Sequence, residues 1–267
     1  MKQSIACIQF DIAFGNPEEN KKRAAAAIRE AVKVNPPDIL VLPELWNTGY
    51  DLTRLDEIAD PEGRDSKAFL SALAREHHVH LVAGSIAKKS GKEITNTMLI
   101  FSRSGELVHE YSKIHLFKLM DEHHYLTGGK SSGLFSLDGI QCAGFICYDI
   151  RFPEWMRDHA AHGAEVLFVA AEWPLLRLNH WRALLIARAI ENQAFVVACN
   201  RCGSDPKNKF AGHSIIIDPW GSVLAEAGQG AETLRAELDF AEIAEIRRQI
   251  PVFQDRRPEL YQSFFKS

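Results

Sequence analysis

Short apolar strands alternate with helical segments along most of this 267-residue chain, and twice consecutive strands pair as hairpins. Together these patterns predict an α/β fold with mixed rather than purely parallel strand pairing. The 46% hydrophobic composition supplies ample core and fits one large domain or two small ones. No linker rich in Gly, Ser or Pro divides the chain, so residues 1–267 are expected to form one domain, its core at about 4–240 and a C-terminal helix and tail at 241–267.

The elements follow from local pattern. Ile5–Phe10 is an apolar strand, and Pro17–Val34 is a helix carrying an alanine run. Asp38–Leu42 is a second strand, stopped by Pro43, which cannot donate to a ladder. Ser66–His77 is helical and Val79–Ile86 returns to strand. Thr95–Ser102 and Glu106–Tyr111, separated by Arg103-Ser104-Gly105, read as a hairpin. Ile140–Ile146 is a buried strand running straight into Cys147. Pro153 suits the first turn of a helix over Pro153–His162, with Glu154 near the positive end of its dipole. Glu165–Ala171 is a strand that stops at Trp173-Pro174, Arg177–Gln193 is a long helix and Ala194–Asn200 a strand. Ala211–Ile217 and Val223–Glu226 form a second hairpin around Asp218-Pro219-Trp220-Gly221. Glu232–Asp239 adds a strand and Ala241–Gln249 a helix before a polar tail. The strand ends Val41-Leu42-Pro43-Glu44 and Ala170-Ala171-Glu172-Trp173-Pro174 are loosely alike, a faint sign of an internal repeat.

Bulk properties exclude several function classes. The formal charge of −4 comes from well-mixed acids and bases with no basic run of five, so no nucleic-acid partner is expected. No apolar stretch approaches the roughly 18 residues of a membrane span, so no membrane association is expected. Met1 to Cys7 runs directly into a strand without an apolar leader, and Cys7, Cys142, Cys147, Cys199 and Cys202 are an odd set, as expected of reduced thiols in a cytoplasmic protein.

Chemistry gathers at strand ends. A strand that ends on Cys147 and turns abruptly presents its thiol at the sheet edge, beside backbone N–H groups, which suits acyl transfer through a thioester. The other reading of Cys147 is a small buried hydrophobe. Glu44 follows a strand and Pro43, with Trp46 and Tyr50 near enough in sequence to exclude water and raise its pKa; otherwise it is a solvated loop acid. Lys113 ends another strand, where a fixed ammonium can stabilise an oxyanion, or where it is an ordinary surface lysine. Glu122 stands in the polar stretch Asp121-Glu122-His123-His124 and says little alone. His77, His78 and His80 cluster, as do His123 and His124, but no His-Glu-x-x-His spacing appears, so no metal site is expected. Cys199 and Cys202 have no second pair to complete a zinc site and read as structural thiols. No Gly-x-Gly-x-x-Gly follows a strand, which sets a dinucleotide site aside.

Taken together, Leu42-Pro43-Glu44 with Trp46 and Gly49-Tyr50, then Tyr111-Ser112-Lys113-Ile114-His115-Leu116-Phe117, then Ile146-Cys147-Tyr148-Asp149-Ile150-Arg151-Phe152-Pro153-Glu154 resemble the nitrilase superfamily of carbon–nitrogen hydrolases, with the three blocks in family order. The resemblance implies a four-layer α-β-β-α sandwich, usually dimerised. It also implies Cys147 as nucleophile, Glu44 as general base, Lys113 with the backbone N–H of Tyr148 as the oxyanion site, and no metal or organic cofactor. Glu122 is similar to the family's second glutamate, because Glu-x-x-x-Leu-x-x-Gly recurs as Glu122, Leu126 and Gly129. Leu45–Asp51, Leu119–His123 and Ala171–Pro174 are most like the ω-amidase branch associated with methionine salvage. Those enzymes hydrolyse the side-chain amide of 2-oxoglutaramate or 2-oxosuccinamate.

That resemblance implies a small carboxylate-bearing amide as substrate. Arg151 would then either pair with its carboxylate or brace the turn through Asp149 or Glu154. Tyr50, Phe117 and Trp173 are candidate pocket walls. A nitrilase, an N-carbamoyl amidohydrolase and a non-catalytic binding protein remain the alternatives. The helix Arg177–Gln193 either packs against a second copy, giving a homodimer or higher homo-oligomer, or packs wholly into the core.

Overall fold

The computed structural model describes residues 1–261, and residues 262–267 of the expected polar tail lie outside the described residues. Thirteen strands are described: β1 (Lys2–Gln9), β2 (Ile39–Val41), β3 (Asp60–Pro61), β4 (His80–Ser90), β5 (Glu93–Phe101), β6 (Leu107–Ser112), β7 (Leu134–Leu137), β8 (Ile140–Ile146), β9 (Val166–Ala171), β10 (Phe195–Asn200), β11 (Ile215–Ile217), β12 (Val223–Glu226) and β13 (Glu232–Asp239). They form two sheets, ordered β13-β1-β2-β4-β5-β6, with β3 beside β4, and β12-β11-β10-β9-β8-β7. In the first, β1, β2 and β4 run parallel and β5 and β6 continue antiparallel. In the second, β8, β9 and β10 run parallel and β11 and β12 continue antiparallel. The two halves therefore repeat one strand pattern, in which β2 corresponds to β9. The faint likeness between the segments ending in Glu44 and Glu172 has this topological counterpart.

Helices close both outer faces. Described in chain order they are α1 (Pro17–Lys33), α2 (Leu55–Ile58), α3 (Arg64–His77), α4 (Glu122–Tyr125), α5 (Pro153–Ala161), α6 (Leu178–Asn192) and α7 (Ala241–Gln249), with short turns after them. Asn16 caps α1 by accepting from the Glu19 N–H, and Pro17 occupies the first turn. Ala24 and Ile28 of α1 and Leu70, Leu73 and Ala74 of α3 pack with Ala6, Ile8, Leu40 and Leu81 of the first sheet. Met156 of α5 and Trp181, Leu185 and Ala189 of α6 join the cluster of the second sheet. Between the sheets, Cys7, Val41, Val82, Met98 and Tyr111 share that cluster with residues of β8, β9 and β10. The layers are α-β-β-α, the arrangement the motif resemblance implied.

Two local expectations need correcting. Ala211–Ile217 was expected to be strand throughout, but only Ile215–Ile217 is, because Gly212 and His213 hold φ of +64° and +50° and cannot join a ladder. The strand β7 was not expected; it lies in a short stretch between polar and glycine-rich residues, too brief to show a period of its own.

A bulge in β4 holds the chain on either side of Glu44. Register shifts between Val82 and Ser85, where Gly84 has φ +56°, and the freed Ser85 donates its N–H to the Pro43 carbonyl at 3.2 Å and its hydroxyl accepts from the Leu45 N–H at 2.9 Å. A Cβ at Gly84 would meet the Pro43 and Leu42 carbonyl oxygens at 2.0 and 2.7 Å. Gly91 has a similar φ of +59° but open space around it. In urea denaturation, Gly84→Ala should therefore cost about 3 kcal/mol, combining left-handed strain with overpacking, whereas Gly91→Ala should cost about 1 kcal/mol. Equal losses in the two variants would remove the close backbone approach as the reason for glycine at residue 84.

Candidate active site

Four side chains from distant parts of the chain meet beneath the edges of the two sheets. Glu44 leaves β2 after Pro43, Lys113 follows β6, Glu122 opens α4 and Cys147 follows β8. Glu44, Lys113 and Glu122 are 0% exposed and Cys147 is 5% exposed. Lys113 Nζ donates to Glu44 Oε1 at 2.9 Å and to Glu122 Oε1 at 2.6 Å. Glu44 Oε1 also accepts from Asn96 Nδ2 at 2.8 Å, and Oε2 accepts from the Glu172 N–H at 2.8 Å. Glu122 Oε2 accepts from the Phe117 N–H at 2.7 Å. The Tyr50 hydroxyl donates to Glu122 and lies 3.1 Å from Glu44 Oε1.

The electrostatics of the cluster follow from one cation set between two buried carboxylates. Burial alone would lower the Lys113 pKa, but Glu122 and Glu44 outweigh it and hold the ammonium well above its ordinary range. Burial raises the Glu122 carboxyl, with Lys113 opposing and Glu44 adding to it. Burial, then Glu122 and Glu44, keep the Tyr50 phenol protonated far above its usual range. Burial and the Glu44 charge push the Cys147 thiol well up, against the pull of Lys113, so sulfur holds its proton in the resting site. The arrangement sets a protonated thiol beside a buried carboxylate, Glu44.

Cys147 itself has φ +45°, in the left-handed region that non-glycine residues adopt only when the surroundings impose it. The surroundings here centre on Asp149, two residues on. Its Oδ2 accepts from the Ile146 N–H at 2.9 Å and the Tyr111 hydroxyl at 2.7 Å, and its Oδ1 sits 2.8 Å from His115 Nδ1. Trp155 Nε1 donates to the Tyr111 hydroxyl at 3.2 Å, and the His115 ring stacks on Phe152 at 3.7 Å between centroids. The expected abrupt entry into helix is a single turn of 3-10 helix, Cys147–Arg151, before α5 begins at Pro153. Asp149 and Tyr111 were not singled out from sequence, since only the fold reveals that they tie β6 to the turn.

Above the thiol lies a narrow cleft lined by Phe117, Met120, Cys147, Tyr148, Arg151, Glu172, Trp173, Pro174 and Arg177. Phe117 and Trp173, two of the candidate pocket walls, line this cleft. Tyr50 does not; it lies below, hydrogen-bonded to the carboxylates. Trp46 is not beside Glu44 in function either: its Nε1 donates to the Ala83 carbonyl at 2.9 Å and its ring packs in the outer core of the first sheet. Arg151 does not brace the turn through Asp149 or Glu154. Its guanidinium lies over the Trp173 ring at 4.8 Å, with Nη2 3.3 Å from His180 Nδ1. Arg177, which no sequence pattern flagged, sits over the Phe117 ring at 5.4 Å on the same cleft. Burial, and then the Arg177 charge, lower the Arg151 pKa. Neither arginine forms an ion pair among the described residues, so two cations face the cleft without a fixed anion.

The histidines considered as metal ligands have other partners. His80 Nε2 lies 3.1 Å from both Arg103 Nε and Asp138 Oδ2, and the exposed His123 and His124 rings lie against each other at a tilt of 39°. Cys199 and Cys202 are free buried thiols, with Cys199 Sγ donating to the Ile8 carbonyl at 3.4 Å.

Comparison with known proteins agrees with this geometry. Residues 4–248 match the carbon–nitrogen hydrolase family. The chain is 57% identical over 261 residues to a 2-oxoglutaramate amidase of Bacillus subtilis, covering 98% of this chain and 100% of that one. It is 34% identical to the human omega-amidase, covering 96% of each. Among solved structures, a Saccharomyces cerevisiae member of branch 10 of the nitrilase superfamily superposes with a TM-score of 0.89 at 32% identity, over 96% of this chain and 97% of that one. With sequence and fold in agreement over nearly its whole length, the chain belongs to the carbon–nitrogen hydrolase family and is an amide-hydrolysing enzyme of the nitrilase superfamily.

Proposed function

We propose that the protein hydrolyses the terminal amide of a small 2-oxo acid of the 2-oxoglutaramate or 2-oxosuccinamate type, through a thioester on Cys147. The observation that carries the reading is the buried set of Glu44, Lys113 and Glu122 acting on a protonated thiol. As sulfur attacks the amide carbon, its proton passes to Glu44. The oxyanion is held by Lys113 Nζ and the Tyr148 N–H, donors worth on the order of 10²–10³ in rate each. Glu44 returns the proton to nitrogen, the carbon–nitrogen bond breaks and ammonia leaves. A water then gives a proton to Glu44 and attacks the thioester, releasing the acid and restoring the thiol. Glu122 orients Lys113 through the 2.6 Å contact.

The substrate class is supported by the names of the relatives and by the chemistry of the cleft. Arg151 and Arg177 supply two unpaired guanidinium groups for one carboxylate at the end remote from the amide. A plain nitrilase has no use for that pair. Two further expectations stay proposals. A homo-oligomer is supported by Ile190 in α6 and Trp220 in the β11–β12 turn, 50% and 54% exposed. A cytoplasmic setting is supported by five cysteines without a disulfide, and no helix among the described residues is long and apolar enough to cross a membrane.

The resting state predicts a pH signature. Because burial and Glu44 raise the Cys147 pKa, the thiolate is absent below the raised value and appears only as pH climbs through it. The ultraviolet thiolate absorbance of the native protein minus that of Cys147→Ser should stay flat between about pH 6 and pH 8.5, where an unperturbed thiol would already titrate. A midpoint near 7 would mean an ion-paired thiolate and no need for Glu44 as base.

For the substrate, turnover should be clear with 2-oxoglutaramate and negligible with a simple nitrile or an N-carbamoyl amino acid. Arg151→Leu and Arg177→Leu should each raise KM for 2-oxoglutaramate by about 10- to 100-fold, as the loss of one hydrogen bond to a charged group implies, with little change for an uncharged amide. Equal losses on both amides would contradict the carboxylate role.

A further inference from the structure

We propose that Glu172 binds the nitrogen that leaves, its free carboxylate oxygen accepting an N–H of the scissile amide and then of the departing ammonia. This rests on the amidase reading above and deepens it, since the roles given to Glu44, Lys113, Glu122 and Cys147 do not involve this side chain.

The two oxygens of the Glu172 carboxylate have different fates. Oε2 is committed to the scaffold: it accepts from Arg201 Nη1 at 2.8 Å, and Arg201 in turn donates to Asp11 Oδ1 at 2.9 Å and to the Ile12 carbonyl at 2.8 Å. That chain fixes the side chain in place. Oε1 is buried and has no hydrogen-bond partner among the described residues, while Glu172 is 0% exposed. An orphaned buried acceptor is costly, and native proteins retain one mainly where a ligand or water completes it. Asn96 Oδ1 is likewise unpartnered, but Asn96 does not line the cleft, whereas Glu172 does, alongside Cys147.

Position then decides which part of the substrate meets it. The Glu172 N–H donates to Glu44 Oε2, so the residue stands directly beside the proposed proton donor. The nitrogen that receives the proton from Glu44 must come within hydrogen-bond reach of that carboxylate, and hence next to Glu172. The carboxylate end of the substrate is drawn elsewhere, to Arg151 and Arg177. As Glu44 protonates nitrogen and the carbon–nitrogen bond breaks, nitrogen gains an N–H and positive charge, so a carboxylate beside it is worth more in the transition state than in the ground state. Burial pushes the Glu172 carboxyl up to about 8 against the Arg201 cation, with Glu44 and Asp205 adding to the rise, so a cation forming in the cleft draws it into the ionised state. The proton that Glu172 gives up on ionising goes to solvent, and none passes from it to the substrate.

The test compares 2-oxoglutaramate with the ω-methyl ester of 2-oxoglutarate, which shares carboxylate, chain and carbonyl but leaves as an alcohol without an N–H. For Glu172→Gln, kcat/KM on the amide relative to the ester should fall about 30-fold against the unmodified enzyme, the scale of one hydrogen bond to a charged group. Glu172→Asp, which keeps the charge opposite Arg201 and withdraws it by one methylene, should show the same direction and decides the matter if Glu172→Gln melts early. An unchanged ratio, whether both activities fall together or neither falls, overturns the assignment, because a merely structural residue cannot tell the two leaving groups apart. If the unmodified enzyme cleaves neither compound, the substrate reading itself fails instead.

Discussion

One ammonium held between two carboxylates, all three out of water, is the constraint on which the rest of this molecule depends. Lys113 is taken from solvent at a cost of several kcal/mol, and only the paired contacts to Glu44 and Glu122 offset it. Burial first, and then the Glu44 charge against the pull of Lys113, keep the neighbouring thiol protonated at rest. In the proposed mechanism, activation of the sulfur is thus deferred to the moment of attack. A resting thiolate, open to oxidation and alkylation, is avoided.

The fold is what makes so tight a charge cluster possible. Glu44 and Glu172 end the corresponding middle strands of the two sheets, β2 and β9, and a direct hydrogen bond from the Glu172 N–H to Glu44 joins the halves at that point. Lys113 and Cys147 arrive from β6 and β8, and Asp149 ties those two together through Tyr111 and the Ile146 N–H. The left-handed φ of Cys147 is held by this network. Rigid strand ends thus place each group, as ligand sites in α/β proteins generally require.

Much of the site was legible in the sequence for a physical reason. Groups that sit at strand ends carry their strands with them, so Val41-Leu42-Pro43-Glu44 and Phe145-Ile146-Cys147 announce where the candidate groups lie. Glu122 was visible through its spacing to Leu126 and Gly129. What could not be read was pairing across the fold. Arg177 looks like any helix-start arginine until α6 sets it on the cleft, and Arg151 could not be assigned until Asp149 was seen to be occupied by Tyr111 and His115. Glu172 shared a likeness with Glu44 in its flanking residues, but the orphaned oxygen depends on Arg201, 29 residues away. Tyr50 was misplaced as a wall because sequence gives nearness to Glu44 without giving direction. The loop 211–214 looked like strand because its apolar content conceals the left-handed backbone of Gly212 and His213.

The destination of the acyl group decides the mechanism. Mixing the protein with excess 2-oxoglutaramate, quenching in acid within milliseconds and mapping peptides by mass should show the substrate acyl group, less ammonia, on the peptide containing Cys147 and on no other. Full turnover with no acyl adduct at any quench time, or an adduct on a different cysteine, would contradict it.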